Sequence, residues 1–204
     1  MKYKILFLCI LAISFSCKSI SNKINYDFYQ DSYIDNNYIF EPNGFSIKFD
    51  ESWKIVTKYY EFSDINKKYA ESYKNELGES IFFGSKSEKR LFVRATVNEF
   101  NLSNIDFFNM IEQANLLEIQ KYDIKYLSPE KYTIIETKHL SALNFVNEIS
   151  LASDKTVYFD SWLIRGGKYN IRIDFWSLKS LYTSNDSRKY IENIIESAEF
   201  IIND

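Results

Sequence analysis

The chain divides into elements by two periods of apolar side chains. Leu91, Val93, Ala95 and Val97 alternate with Phe92, Arg94, Thr96 and Asn98, the period-two pattern of a half-buried strand. Further strands are predicted near 131–138, 142–152, 156–165 and 168–177, with turns at Ser153-Asp154 and Gly166-Gly167 short enough to force antiparallel neighbours. Earlier, Tyr38-Ile39-Phe40 and Phe45-Ser46-Ile47 flank Glu41-Pro42-Asn43-Gly44, where Pro presets the first turn angle and Asn-Gly tolerates positive φ. This is an opening hairpin, and Trp53 to Val56 adds a short strand. Three stretches follow the helical period instead. Asp64 to Leu77 places Ile65, Tyr69 and Tyr73 on one face and stops at Gly78. Ser103 with Asp106 resembles a capping box, and Phe107, Ile111, Ala114 and Leu117 continue from it. The last helix starts near Asp186 and carries Ile191, Ile194, Ile195 and Ala198 at i, i+3, i+4 and i+7. The predicted fold class is α+β, an antiparallel sheet with helices packed on it as an α/β/α sandwich, over a single domain at 38–204.

The first residues obey a different pattern. Lys2 and Lys4 make a positive start, Ile5 to Phe15 is an almost unbroken apolar run, and Ser16-Cys17 closes it. This is the three-part layout of a secretory signal, and the run is about half of the ~20 apolar residues a membrane-spanning helix needs. Ser16-Cys17 is similar to the end of a bacterial lipobox, which implies cleavage after residue 16 and lipid on Cys17. Ser14 and Phe15 stand where that motif has an aliphatic and a small residue. A polar stretch rich in Ser, Asn, Asp and Tyr then runs to Asn37, so 1–16 is expected to be a signal peptide and 17–37 a lipidated tether.

Composition narrows the class. Hydrophobic residues at 46% and aromatics at 18% of 204 residues suffice for one packed core rich in Phe and Tyr. The formal charge is -3, and loss of the leader removes Lys2 and Lys4, leaving 23 basic against 28 acidic side chains. Nucleic acid is therefore not an expected partner, since a phosphate backbone needs a basic face. Once the leader is gone Cys17 is the sole cysteine, which excludes an internal disulfide or a cysteine metal cluster. His139 is the sole histidine and falls at a turn, the position of a solvated side chain. With no phosphate loop, HExxH or EF-hand spacing, no metal and no cofactor is expected.

Candidate chemistry comes from strand register. If Gly166-Gly167 and Ser153-Asp154 are both two-residue turns, Asp160 faces Ile173 on one side and Asn147 on the other, within an otherwise apolar stripe. Such a pair is either a satisfied structural contact or the floor of a pocket. Arg172 and Asp174 alternate with Trp176 on the opposite face, as on a solvated or helix-covered surface. Trp53 and Trp176 are candidates for an aromatic platform.

Two patches carry a family resemblance. Phe45-Ser46-Ile47-Lys48-Phe49 and Trp53, following Pro42 and Gly44, and the closing Ile194-Ile195-Glu196-Ser197-Ala198-Glu199-Phe200, resemble the opening and closing segments of the PsbP-like superfamily. That superfamily includes the Ran-binding Mog proteins and periplasmic DcrB-like lipoproteins. Asp50-Glu51-Ser52 replaces the proline the family has before its tryptophan. The resemblance implies a non-catalytic accessory, assembly or chaperone-like protein that binds other proteins. The leading expectation is thus a non-enzymatic lipoprotein, held to a membrane by lipid on Cys17, that engages a protein partner in the cell envelope at its periplasmic or outer-membrane face. Behind it stand a small-ligand or glycan binder that uses the aromatic-rich sheet face with Asn147 and Asp160 as polar anchors and, last, a hydrolase using paired carboxylates.

Overall fold

The computed structural model describes residues 33–68, 70, 78–122, 125–127, 132–150 and 155–201. The leader, Cys17, the tether up to residue 32 and the Ser153-Asp154 turn lie outside the described residues.

Among the described residues twelve strands form two antiparallel sheets. The smaller has the order β1-β2-β3-β12, from β1 (Tyr33–Ile34), β2 (Asn37–Phe40), β3 (Phe45–Lys48) and β12 (Glu199–Phe200). The predicted hairpin is β2–β3, closed by a short 3-10 turn over Glu41–Asn43 with Gly44 at φ 69°. A side chain there would collide with the Ile201 carbonyl, which accounts for the glycine. Pairing begins at Tyr33, inside the stretch read as tether.

The larger sheet has the order β4-β5-β6-β11-β10-β9-β7, with β8 also on β9. Its strands are β4 (Lys54–Val56), β5 (Glu79–Lys86), β6 (Leu91–Asn98), β7 (Lys125–Leu127), β8 (Thr133–Glu136), β9 (Ser141–Ser150), β10 (Thr156–Gly166) and β11 (Tyr169–Leu178). β5, which mixes Gly84 and Ser85 among its aromatics and bulges after Ser80, has no clean alternation in sequence.

Residues 64–68 are helical as expected, and the rest of that predicted helix, except residue 70, lies outside the described residues. Three helices are described in full: α1 (Asn104–Tyr122), α2 (Lys179–Ser184) and α3 (Ser187–Glu196). Ser103 caps α1, its Oγ accepting from the Asp106 amide at 3.1 Å and donating to the Asp106 carboxylate at 2.6 Å. The last helix ends at Glu196, and residues 199–200 become β12 rather than a further turn. Ser197 ends it: its Oγ takes the Lys48 amide at 3.0 Å and donates to the Ile194 carbonyl at 2.6 Å.

The large sheet has two differently covered faces. On one, Trp162, Ile164, Ile171, Ile173 and Phe175 meet the small sheet and α3 in the main core. Tyr38 lies 4.8 Å from Phe82 and Phe40 5.3 Å from Tyr169, which locks the sheets together. On the other, Phe107 and Ile111 of α1 cover Leu143, Phe145 and Leu163. Side chains that alternate along β10 and β11 therefore enter separate environments.

Candidate functional site

The register places Asp160 where burial was expected and gives it a different partner. The β10–β11 turn is Gly167-Lys168, with Gly167 at φ 63°, so Ile164 pairs with Ile171 and Asp160 with Phe175. That shift of two keeps every side chain on its predicted face. Between β9 and β10, five residues rather than two separate the last pair, Ser150 and Thr156. The odd difference changes the face, so Asp160 opposes Val146, Asn147 opposes Phe159, and the expected Asn147–Asp160 pair does not form. Asn147 lies on the α1 side of the sheet, buried, with its Oδ1 unpartnered.

The amide that meets Asp160 is Asn144, whose Nδ2 donates at 2.6 Å. The Tyr182 hydroxyl of α2 donates at 2.5 Å, and Arg188 Nη1 of α3 donates to the two carboxylate oxygens at 3.1 and 3.2 Å. Arg188 also donates to Asn144 Oδ1 at 2.7 Å and lies over the Trp162 ring at 5.0 Å. Burial pushes the Asp160 carboxyl above its ordinary range, and Arg188, Tyr182 and Asn144, which favour the ionised form, offset this only in part. Burial and the neighbouring carboxylate push the Tyr182 phenol well above its usual value. Asp160 has no exposed surface, so the helices seal it and it floors no open cavity. A ligand site anchored by Asn147 and Asp160 is thereby excluded by geometry. Tyr182 and Arg188 carry no signal in sequence, since only the folded positions of α2 and α3 bring them to the strand.

On the opposite face Arg172 and Asp174 are buried rather than solvated. Asp174 accepts from Arg172 Nε at 2.8 Å, Arg94 Nε at 2.9 Å and Ser161 Oγ at 2.6 Å. Burial alone would raise its pKa, but Arg172 and Arg94 hold it down at about 2. The exposed acid Asp50 accepts from Lys86 Nζ at 2.9 Å and from the hydroxyls of Ser52 and Tyr190. Burial opposes its charge, yet the bonds from Ser52, Tyr190 and Lys86 hold it far below the carboxylate range. Lys86 donates to both Asp50 and Ser52, the arrangement of an ion pair rather than of a serine nucleophile and its base. His139 is exposed, with Nδ1 3.9 Å from Glu199. Among the described residues no group of three or more His, Cys, Asp or Glu is placed to hold a metal.

The two tryptophans separate. Trp53 is core: it is 5% exposed, donates to Tyr190 at 2.7 Å and packs edge-on to Phe49 at 5.4 Å. It offers no platform. Trp176 is half-buried within a row across β6, β11 and β10, parallel within 19° to Phe92 at 5.6 Å and to Phe159 at 6.0 Å. The Arg94 guanidinium lies 5.5 Å from the Trp176 ring and 5.7 Å from Phe159. Phe92 and Trp176 form one wall of an open groove of about 430 Å³, with Phe62 and Phe83 deeper and Lys54 and Ile65 at its rim. Phe62 packs edge-on to Phe83 at 4.7 Å, so two buried aromatic rings form part of the groove's lining. Among the described residues this candidate site combines open space, exposed aromatic surface and polar rim groups, and its volume lies within the ~300–1,000 Å³ usual for ligand pockets.

No family model matches the sequence, and no curated protein matches it. Solved structures do. A crystal structure from Bacteroides thetaiotaomicron aligns with TM-score 0.49 and 15% identity over 82% of this chain and 49% of that one. LpqN of Mycobacterium tuberculosis, described as involved in cell envelope biogenesis, aligns with TM-score 0.47 and 8% identity over 76% and 82% of the two chains. The solution structure of cyanobacterial PsbP (CyanoP) from Synechocystis sp. PCC 6803 aligns with TM-score 0.56 over 81% of this chain and 91% of its own. At 8% identity that likeness is one of architecture, and together with the packed opening and closing segments around Phe45, Trp53 and Phe200 it makes the fold of this chain PsbP-like.

Proposed function

We propose that the chain is a non-catalytic binding module, tethered to a membrane through Cys17, that works outside the cytoplasm by engaging a protein partner in the cell envelope. The observation that carries this reading is the open groove beside Phe92 and Trp176, in a molecule whose buried acids are spent on its own basic groups. Asp160 and Asp174 are sealed on opposite faces of the sheet, so they cannot flank a substrate as a carboxylate pair. Sugar or small-ligand binding through the Asp160 stripe has lost its anchors. The leader supplies the address, because its lipobox-like end puts acyl chains on the only cysteine the processed chain keeps.

The test is affinity capture of the tagged lipoprotein from solubilised envelope membranes, beside a Cys17→Ala form. A protein recovered reproducibly with the native form, and a Cys17→Ala form that leaves the membrane fraction, are the expected results. Repeated capture without a specific partner removes the binding role, and unchanged membrane fractionation of Cys17→Ala removes the tether.

A further inference from the structure

We infer that the groove is a slot for one aromatic side chain of the protein partner, a neutral Tyr or Trp ring that stacks on the open face of Phe92; this rests on the protein-binding role just proposed. Strand register, the chemistry of the walls and their charge point the same way.

The register shows where a ring is missing. Phe159 pairs with Trp176 and Trp176 with Phe92, so one row of side chains crosses β10, β11 and β6 on one face of the sheet with neighbouring rings parallel within 19°. The same row continues to Ser85 on β5 and Lys54 on β4, and both line the groove. Neighbouring strands lie ~4.8 Å apart. A ring seated over Ser85 would therefore stand from Phe92 much as the rings of the row stand from one another, at 5.6 and 6.0 Å. Trp176 has a ring on each side, whereas Phe92 has one, is 42% exposed and, among the described residues, meets no ring or cation on its other face. A small serine beside an open aromatic face leaves the width of one further rung.

The walls select what enters. Phe83 and Val56, paired across β5 and β4, occupy the next row beneath that rung, and Phe62 packs on Phe83. A ring that enters edge-first thus brings its leading edge against aromatic and aliphatic carbon. A pyranose carries hydroxyls around its rim and would leave some of them there with neither water nor a partner, at a cost in free energy. The ring of Tyr or Trp has an apolar body and a single polar atom, which suits a slot that is apolar below and polar at its mouth.

Charge leaves the choice to shape. Lys54 and Glu61, the two charged side chains that line the groove, cancel, so neither sign of ligand is drawn in. Both are exposed at the mouth, where they supply one donor and one acceptor to a phenol or an indole N–H. Aromatic anchors that fill a pocket are among the side chains from which protein contacts draw most of their energy.

The experiment titrates the purified, isotope-labelled full chain with a neutral Gly-Ser peptide that carries one central Trp, and follows the Trp176 indole N–H and the Ser85 amide by NMR. One control peptide replaces Trp by cyclohexylalanine, which is as bulky and apolar but not flat, and a second control is the disaccharide cellobiose. The Trp peptide is expected to bind about fivefold or more tighter than the cyclohexylalanine peptide and to shift the Phe92 ring signals by its ring current. Phe92→Leu, which keeps an apolar side chain and removes the ring face, should weaken binding about fivefold, and Ser85→Phe, which fills the rung with the protein's own ring, should abolish it. Ser85 is half-buried and Phe92 exposed, and unaltered thermal melts establish that the variants fold. Equal affinity for the Trp and cyclohexylalanine peptides, binding that survives Ser85→Phe, or cellobiose that binds at the same signals more tightly than the Trp peptide each overturns the inference. An envelope partner that Ser85→Phe still captures sinks the slot alone, whereas failure of the native chain to capture any partner removes the function beneath it.

Discussion

Asp160 and Asp174 stand on neighbouring strands, face opposite sides of one sheet and are equally cut off from water at 0% and 1% exposure, yet their proton affinities move in opposite directions. Burial raises both. The difference lies in what surrounds each carboxylate. Asp174 has two guanidinium groups and a serine hydroxyl, and one of those cations, Arg172, is itself 3% exposed. Asp160 has one guanidinium, on a side chain 34% exposed and shared with Glu192, plus two neutral donors. Neutral donors satisfy hydrogen bonds without returning the lost solvation of a full charge. Depth of burial therefore does not decide ionisation; the number of charges buried alongside does.

The largest test of that contrast is Asp174→Ala. It leaves Arg172 buried without its carboxylate, and loss of one partner from a buried ionic cluster costs about 3–5 kcal/mol. Urea unfolding of the variant against the native chain measures it. A loss below ~1 kcal/mol would mean that the two arginines reach water once freed, and that the cluster is far less buried than its geometry indicates.

Acid titration separates the two sites next. Unfolded Asp174 takes its proton near pH 4 and folded Asp174 at about 2, so its contribution of about 2 kcal/mol is complete above ~pH 4 and is lost as pH falls through ~2. Asp160 has the reverse sign. Its folded value lies above its unfolded one, so the stability it confers is fully present below ~pH 4 and declines as pH rises through the folded value. Against Asp160→Asn, the native chain should therefore lose relative stability on going from pH 4 upward; against Asp174→Asn it should lose it on going from pH 4 downward. Unfolding free energies measured across pH 2–7 for the three proteins check both slopes.

Arg188→Met gives a smaller effect with a signature of its own. Removing the guanidinium beside Asp160 lets the carboxyl keep its proton to higher pH, so the cost is limited by neutralisation and by the partial exposure of Arg188. The expected loss is about 1–2 kcal/mol at pH 7 and close to none at pH 4. A pH-independent loss would assign it to packing of the aliphatic stem over Trp162 instead.

How much of this the sequence showed depends on parity. Asp160 is legible as a polar intruder because Tyr158, Trp162 and Ile164 share its face, and a turn misplaced by two residues leaves that face intact. Its partner was not legible, because the β9–β10 connection is longer by an odd number and replaces Asn147 by Asn144. Tyr182 and Arg188 lay beyond reach for another reason: local periodicity says which face of α3 is apolar, not which strand its polar face meets. Trp53 and Trp176 were both open to a platform reading, although only Trp53 belongs to the opening patch of the family resemblance, and the fold puts Trp53 inside the core and Trp176 at a groove. The opening hairpin, the Ser103 cap and the start of the last helix were readable because each is fixed by residues within a few positions of one another.

Tyr182→Phe is the smallest perturbation and isolates the neutral donors. The substitution keeps the ring against Tyr158, 5.4 Å away, and removes only the hydroxyl that donates to Asp160. If that bond serves mainly the ionised carboxylate, its loss raises the proton affinity of Asp160 further, and the cost must grow with pH. The expected penalty is about 1 kcal/mol at pH 7 and less at pH 4, where a protonated Asp160 needs the donor less. Since Arg188 and Asn144 still hold the carboxylate, the helices should stay seated and the native near-ultraviolet signal of Trp162 should persist. A penalty above ~3 kcal/mol, with loss of that signal, would show that one hydroxyl rather than the cation holds α2 and α3 on the sheet, and neutral hydrogen bonding would then outrank charge at Asp160.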